Sequence, residues 1–454
     1  MTAENTPIDS GLEVVRRSTD LPEVVNHPPA PEFQIGERYE KGQSGALPPE
    51  YTDQHPGAPT KPRRKRTLWI VFAVLFIIVA IVAIVVGVVL GTRESKDTTK
   101  SGSTAGSSSG DINTTLLRKN SPLAVTGWRN GSSLNVRLFY QGDDGNIRMN
   151  GYESGSKKWT ASPPIDTAKA GTALAASCFN ASNFFAAPNA TGSSSLLYFQ
   201  IELFYTNNAS LIKEWNFNES SDTGASGSIS SLTFRTGASS RMSSYWPSLV
   251  FQDDSGTLTE IFYNSSVSQQ AWNQRGLGLV GRNNSGLAEV PLTTNLAQNT
   301  NTPVDFGMGI FYQRDDFKPF DATRGTNLGA WSANNLNVSI PQNSSIGSFS
   351  VPRAGDSAKR TNLYVLWQDA SGNIQYNWQD DNSGWKGPAT SDALKGADLG
   401  TSIACLTPTI WPVTDLQPKF DLSRCYYQVG GSLREVQFDG SNWNVLGFVP
   451  LTGS

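Results

Sequence analysis

Two histidines, His27 and His55, are all that this 454-residue chain contains, and both stand near its N-terminus. Everything beyond residue 60 therefore lacks the base for a Ser-His-Asp or Cys-His centre and any histidine for a metal site. Paired carboxylates can hydrolyse glycosides without histidine. The acidic pairs here, Asp253 with Asp254 and Asp315 with Asp316, fall in turn-like sequence, where Asp is favoured for backbone reasons. Repeated Asp-box sequences and the arginine set of a sialidase are missing as well, so the chain reads as a non-enzyme with neither metal nor cofactor. Charged residues make up only 17% of the chain and the net charge is -3, which offers no broad positive field for nucleic acid. Cysteine is limited to Cys178, Cys405 and Cys425.

Charge is absent altogether from Leu68 to Leu90, "LWIVFAVLFIIVAIVAIVVGVVL". A run of that length and purity matches a helix crossing a hydrocarbon layer of roughly 30 Å. The basic run Lys61 to Arg66, "KPRRKR", precedes it, whereas Arg93 and Lys96 beyond it are opposed by Glu94 and Asp97. A basic run can also be a nuclear or nucleic-acid signal, but its contact with the span fits the positive-inside rule, and Trp69 fits an interfacial belt. The first residues, "MTAENTPIDS", are polar and give no cleavable signal peptide, so the span is expected to act as an uncleaved anchor. The expected topology is single-pass, N-terminus cytoplasmic and C-terminus extracellular or lumenal, in the plasma membrane or an endomembrane. N-glycosylation sequons agree: they occur at Asn113, Asn130, Asn180, Asn189, Asn208, Asn218, Asn264, Asn283, Asn337 and Asn343, and never before the span.

The segments then divide as a tail (1–60), a basic juxtamembrane segment (61–67), the span (68–90), a stalk (91–112) and one large domain (113–454). The tail is rich in Pro and acid and is expected to be disordered. It contains "PPEY", in which Pro48, Pro49 and Tyr51 have the pattern of a polyproline II ligand for a WW domain. That pattern resembles ligands of WW-bearing ubiquitin ligases, with Lys41 or Lys61 as acceptors; the same residues also suit a plain spacer. The Ser/Thr/Gly-rich stalk has a spread of about 25 Å by square-root scaling.

The large domain repeats itself. "VRLFYQGDDGNIRMNGYESGSKKW" (Val136 to Trp159) is echoed by "YVLWQDASGNIQYNWQDDNSGW" (Tyr364 to Trp385). Each is an apolar run ending in Gln, a polar turn, an alternating stretch and a Trp. Aligning the end of the apolar run gives six units, anchored at Gln141, Thr206, Gln252, Gln313, Gln368 and Gln428. Closing tryptophans stand at Trp159, Trp272, Trp331, Trp385 and Trp443; Trp215 directly follows Glu214 and is not equivalent. Period-two alternation punctuated by Gly, Asn, Ser and Asp predicts short antiparallel strands, and no helical period appears. Six units of about four strands each predict an all-β fold, a six-bladed β-propeller, with a pair of β-sandwiches as the rival. An outside location permits a disulfide between Cys405 and Cys425 in the sixth unit, leaving Cys178 as a buried thiol.

Units such as "VRLFYQGDDGNIRM" and "SRCYYQVGGSLRE" resemble the blades of the fungal fucose-specific lectins of the Aleuria type, and the resemblance covers nearly all of the chain beyond the stalk. It implies carbohydrate binding, with glycans, fucosylated ones included, as partners. In that family an Arg four residues before the anchor and a Glu on the following strand hold the sugar, beside an aromatic ring. Arg offers a fork of donors and Glu two acceptors for neighbouring hydroxyls. Here the Arg positions hold Arg137, Glu202, Ser248, Gly309, Tyr364 and Arg424, and the acid positions Met149, Glu214, Glu260, Asp321, Tyr376 and Glu435. Only the sixth unit keeps both. The best sugar site is thus expected at Arg424, Glu435 and Trp443, with further aromatic cover from a neighbouring blade. A plain cross-strand ion pair beside a core Trp is the alternative. Arg137 with Trp159, and Glu260 with Trp272, are weaker candidates, read as remnants or structural residues.

Overall fold

The computed structural model describes residues 116–184, 198–219, 223–264, 271–294, 307–324, 331–410 and 415–451. The expected tail, basic segment, span and stalk, the Pro48–Tyr51 motif, and the sequons at Asn113 and Asn189 lie outside them. Among the described residues no helix is long and apolar enough to cross a membrane.

Six four-stranded antiparallel sheets follow one another along the chain. Blade 1 holds β1 (Leu123–Asn130), β2 (Ser133–Gln141), β3 (Ile147–Glu153) and β4 (Lys158–Ala161). Blade 2 holds β5 (Leu174–Asn180), β6 (Phe199–Thr206), β7 (Ile212–Asn218) and β8 (Ala225–Ser226). Blade 3 runs through β9 (Met242–Tyr245), β10 (Ser248–Gln252), β11 (Thr257–Tyr263) and β12 (Trp272–Val280). Blade 4 has β13 (Leu287–Pro291), β14 (Met308–Gln313), β15 (Pro319–Arg324) and β16 (Trp331–Asn335). Blade 5 has β17 (Ile346–Pro352), β18 (Thr361–Gln368), β19 (Ile374–Gln379) and β20 (Lys386–Ala389). Blade 6 has β21 (Ala404–Cys405), β22 (Arg424–Val429), β23 (Ser432–Phe438) and β24 (Trp443–Val449). The innermost strands β1, β5, β9, β13, β17 and β21 each touch the next, and β21 touches β1, so the six sheets form the expected propeller. A narrow cavity of about 80 Å³ runs among these strands. It has room for a few waters, at about 30 Å³ each, and not for a sugar.

The anchor residues explain why the sequence repeats. Each stands at or next to the end of the second strand of its blade with its side chain buried, and those of Gln141, Gln252 and Gln368 tie their own turn to the loop leading to the next blade. Gln141 Nε2 donates to the carbonyls of Gly145 and Lys169, the latter on the approach to blade 2, and Gln141 Oε1 accepts from Gly171 N–H. Gln252 reaches Arg282 O, Gln313 reaches Ile340 O and Gln368 reaches Asp398 O in the same manner. Gln428 Nε2 donates to Arg118 O, which closes blade 6 onto the start of blade 1. Blade 2 has Thr206 at this position, whose shorter side chain bonds Thr172 instead. The hairpin after the anchor is shaped by Asp253 and Asp369, whose Oδ1 atoms accept two turn N–H groups each. A glycine at positive φ completes each of these turns, Gly256 at 82° and Gly372 at 87°. Gln368→Ala should leave the Gly372 and Ala397 carbonyls without their donor and Gly400 N–H without its acceptor, and cost about 2 kcal/mol. Urea unfolding of the variant against the parent measures this, and a change below a few tenths of a kcal/mol would contradict it.

Apolar side chains gather between blades rather than in one centre. Separate clusters fill the 1–2, 2–3, 3–4, 4–5, 5–6 and 6–1 interfaces, led respectively by Phe139, Phe204, Ile310, Trp367, Phe349 and Tyr426 among others. The segment after β21 crosses the ring on one face. Thr409 N–H donates to Gly127 O of blade 1, Tyr245 of blade 3 donates its hydroxyl to Pro408 O, and Leu416 N–H donates to Thr294 O beyond β13. Cys405 and Cys425 are joined in a disulfide across β21 and β22, and Cys178 is a buried thiol.

Candidate functional site between blades 6 and 1

Strand alternation sends successive residues of a blade to opposite interfaces. Tyr426 and Arg424 on β22 and Glu435 on β23 meet at the face toward blade 1. Arg424 Nη1 donates to Glu435 Oε1 at 2.7 Å, and the Tyr426 hydroxyl donates to the same oxygen at 2.9 Å. From blade 1, Trp159 Nε1 donates to Glu435 Oε2 at 3.3 Å. The Tyr152 ring lies under the Arg424 guanidinium, 4.9 Å from its centre, and packs against Trp159. Arg424 and Glu435 are only 6% and 5% exposed. Arg424 Nε is held by Asp421 O, and Asp421 is gripped by Arg129 of blade 1. Burial works against the guanidinium charge, but the neighbouring Tyr426 and Glu435 more than offset it, and the Arg424 pKa is raised. Among the described residues Arg424 Nη2 makes no hydrogen bond, and Glu435 Oε2 accepts one long one, from Trp159.

The aromatic partner expected from the sequence is not the one present. Trp443 lies on the other face of blade 6, packed on Phe349, Tyr376 and Phe438 in the 5–6 interface. The ring beside Arg424 and Glu435 is Trp159, because a closing tryptophan packs against the preceding blade. The same rule separates the two weaker pairs. Arg137 lies over Trp128 at 5.1 Å toward blade 2, whereas Trp159 faces blade 6. Glu260 shares the face of Leu258 toward blade 4, and Trp272 packs on Phe204, Trp246 and Tyr263 toward blade 2. The sequence could have shown this only through its missing tryptophan: unit 2 lacks one, so it is the 1–2 interface that goes without.

Taken one interface at a time, the other five sets diverge. Between blades 1 and 2, Arg137 faces no carboxylate from the acid position, which holds Met149, and Trp215 on β7 fills the apolar gap. Between blades 2 and 3 two acids meet, Glu202 and Glu214. Gln200 donates to Glu202 Oε1 at 2.6 Å, and the Asn216 amide, oriented to satisfy both, donates to each acid. Burial first, then the charge of Glu214, lifts the Glu202 pKa well above the ordinary carboxylate range; Glu214 is raised by burial and held back by its bonds from Glu202 and Ile229 N–H. Between blades 3 and 4 an arginine comes from elsewhere: Arg275 on β12 bridges Glu260 Oε2 at 2.6 Å, while Ser248 donates to Oε1. Sequence alignment of the Arg positions missed it, since Arg275 stands on the outermost strand. Between blades 4 and 5 is Asp321, and between 5 and 6 the set is wholly aromatic, Tyr364, Tyr376 and Trp443.

Among the expected glycan acceptors, Asn130, Asn208, Asn283, Asn337 and Asn343 are exposed, and Asn218 and Asn264 are half-buried. Asn180 corrects the expectation: it ends β5 with 0% exposure, so a glycan cannot sit on it in the folded propeller.

No protein-family profile matches the chain, and no curated protein matches it in sequence. Solved structures do match in shape. The fucose-specific lectin of Aleuria aurantia superposes with a TM-score of 0.55 at 19% identity, over 74% of this chain and 97% of the lectin. AofleA from Arthrobotrys oligospora gives 0.56 at 15% identity, over 75% and 89%. SapL1 lectin, solved with alpha methyl fucoside, gives 0.53 at 17% identity, over 74% and 98%. The chain therefore has the six-bladed propeller fold of the Aleuria-type lectins.

Proposed function

We propose that the protein is a lectin that binds glycans of the fucose class without transforming them, through the site between blades 6 and 1. One observation carries this reading: a buried arginine and glutamate, fixed to each other and to both blades, leave a donor without a partner among the described residues (Arg424 Nη2) and an acceptor with a single long bond (Glu435 Oε2) near the half-buried rings of Trp159 and Tyr152. A vicinal diol matches that pair, and the apolar face of a deoxysugar matches the rings. The fold is shared with structures described as fucose-specific or solved with a fucoside, which places fucose first among the sugars to try. One complete set among six interfaces makes a single weak contact per chain, so useful avidity comes from clustering. The proposal includes the membrane span Leu68–Leu90, which would hold many copies in one plane beyond the bilayer, and the sequons that accompany it.

The test is a glycan array probed with the full chain in detergent micelles. Binding to fucosylated glycans that free fucose competes away is the expected result. Silence across the array would overturn the lectin reading in favour of a propeller that binds protein, with "PPEY" recruiting a WW-domain ubiquitin ligase; for that role Tyr51→Ala should slow endocytic turnover.

A further inference from the structure

The 4–5 interface repeats the 6–1 geometry with its donors stripped away. In blade 6 the acid has three: Arg424, Tyr426 and the incoming Trp159. At the matching places around Asp321 on β15 stand Gly309, Phe311 and the incoming Trp385. β14 and β15 pair so that Phe311 lies opposite Asp321, as Tyr426 lies opposite Glu435. Neither Gly309 nor Phe311 has a side-chain donor, so only the indole remains. Asp321 is nevertheless 3% exposed, and among the described residues its Oδ1 accepts no hydrogen bond. A buried carboxylate oxygen without a partner carries its full desolvation cost. Nearby cations do not relieve it. Lys386, next to Trp385 in the chain, is held between Asp380 and Asp381, and Arg314 lies over the Phe320 ring. Trp385 itself is half-buried and stands edge-on to Phe311, with ring centres 5.6 Å apart.

We propose that the blade 4–5 interface is a second, chemically distinct site, which takes the ammonium group of an amino sugar against Asp321 with the sugar ring beside Trp385. In blade 6 the protein supplies the positive charge and the ligand supplies hydroxyls. In blade 4 the protein supplies only the acid and the ring, so the ligand brings the charge. An ammonium group satisfies the orphaned oxygen as Arg424 satisfies Glu435, with a charge-assisted hydrogen bond. A neutral N-acetyl sugar offers that oxygen an amide N–H but no charge to offset the buried carboxylate, which makes the charge on the amine the determinant of specificity. The choice of a sugar over another amine rests on the reading of these interfaces as sugar sites; the choice of a cation does not.

The experiment titrates the full chain in micelles with D-glucosamine and with N-acetyl-D-glucosamine, following tryptophan fluorescence and ligand saturation-transfer NMR. Glucosamine is expected to bind at least tenfold more tightly than its N-acetyl form. Asp321→Asn is expected to weaken glucosamine at least tenfold, to leave fucose binding unchanged and not to lower the melting temperature, since it removes a burial cost. Arg424→Ala should do the opposite, losing fucose and keeping glucosamine. Equal binding of the two hexosamines, no glucosamine binding by a chain that still binds fucose, or glucosamine binding indifferent to Asp321→Asn would each overturn this proposal alone. Retained glucosamine binding without any fucose binding would overturn the fucose reading and leave this one supported.

Discussion

Replacing Arg424 by alanine is expected to abolish fucose binding on the array and to cost about 3–5 kcal/mol of stability. The binding loss follows because Nη2 is the donor of the site that has no partner among the described residues. The stability loss follows because Glu435 stays behind, 5% exposed, with Tyr426 and a long bond from Trp159 as its remaining donors. A buried charge deprived of its counterion is far more costly than the intact pair was favourable. Two further variants separate the two effects. Arg424→Lys keeps a positive charge but loses the planar fork that reaches both Glu435 and Asp421 O, so it should recover part of the stability and little of the binding. Arg424→Met with Glu435→Leu removes both charges and should be nearly as stable as the parent while remaining silent on the array. If that double variant still bound fucose, the 6–1 site would not be the sugar site. Array binding together with urea unfolding of the three variants measures all of this.

The second large effect is on pH dependence. Asp321 has its pKa pushed up to about 7 by burial, partly offset by the Trp385 indole, from a value near 3.8 for a free side chain. A group that holds its proton more tightly when folded contributes stability at low pH and loses it as pH rises through the folded value. Between about pH 4 and 7 the folded propeller should therefore lose stability, on the order of 4 kcal/mol from Asp321 at about 1.4 kcal/mol per unit. Glu202, lifted by burial and by Glu214, acts in the same direction. The turn acids Asp356 and Asp381 have lowered values, about 2 and below, held down chiefly by Arg360 and Lys386, so they titrate beneath this window. Asp321→Asn and Glu202→Gln should each flatten the fall, and together they should remove most of it between pH 5 and 8, the remainder coming from Glu214, whose pKa burial also raises. Differential scanning calorimetry across that range decides it; a parent protein whose stability rises with pH there would contradict the assignment of both buried acids.

Retaining such acids at a cost to stability is characteristic of sites kept for binding rather than for folding. The contrast among interfaces makes the point. Between blades 5 and 6 the equivalent positions became Tyr364, Tyr376 and Trp443, which pack without any buried charge. Between blades 3 and 4 the acid was kept and Arg275 was recruited to neutralise it. At Asp321 neither repair is present.

The sequence by itself determined the number of blades, their all-β character and the phase of each repeat. The anchor glutamines recur because each clasps the loop leading to the next blade, and Gln141, Gln252 and Gln368 also close their own hairpin; a task confined to neighbouring turns leaves a regular mark along the chain. The residues that form the Arg424–Glu435 pair were legible for the same reason, since both lie on one hairpin at fixed register. Tertiary structure alone decided which ring completes the pair. A strand shows its two faces to two different blades, so Trp443 and Glu435, eight positions apart on adjoining strands, serve different interfaces, and Trp159 arrives from the other end of the domain. The burial of Asn180 was hidden in the same way, because neighbours across an interface are set by how the ring closes and carry no fixed spacing in sequence; Arg275 was missed for another reason, since it faces Glu260 from the outermost strand of the same blade and not from the repeat's Arg position.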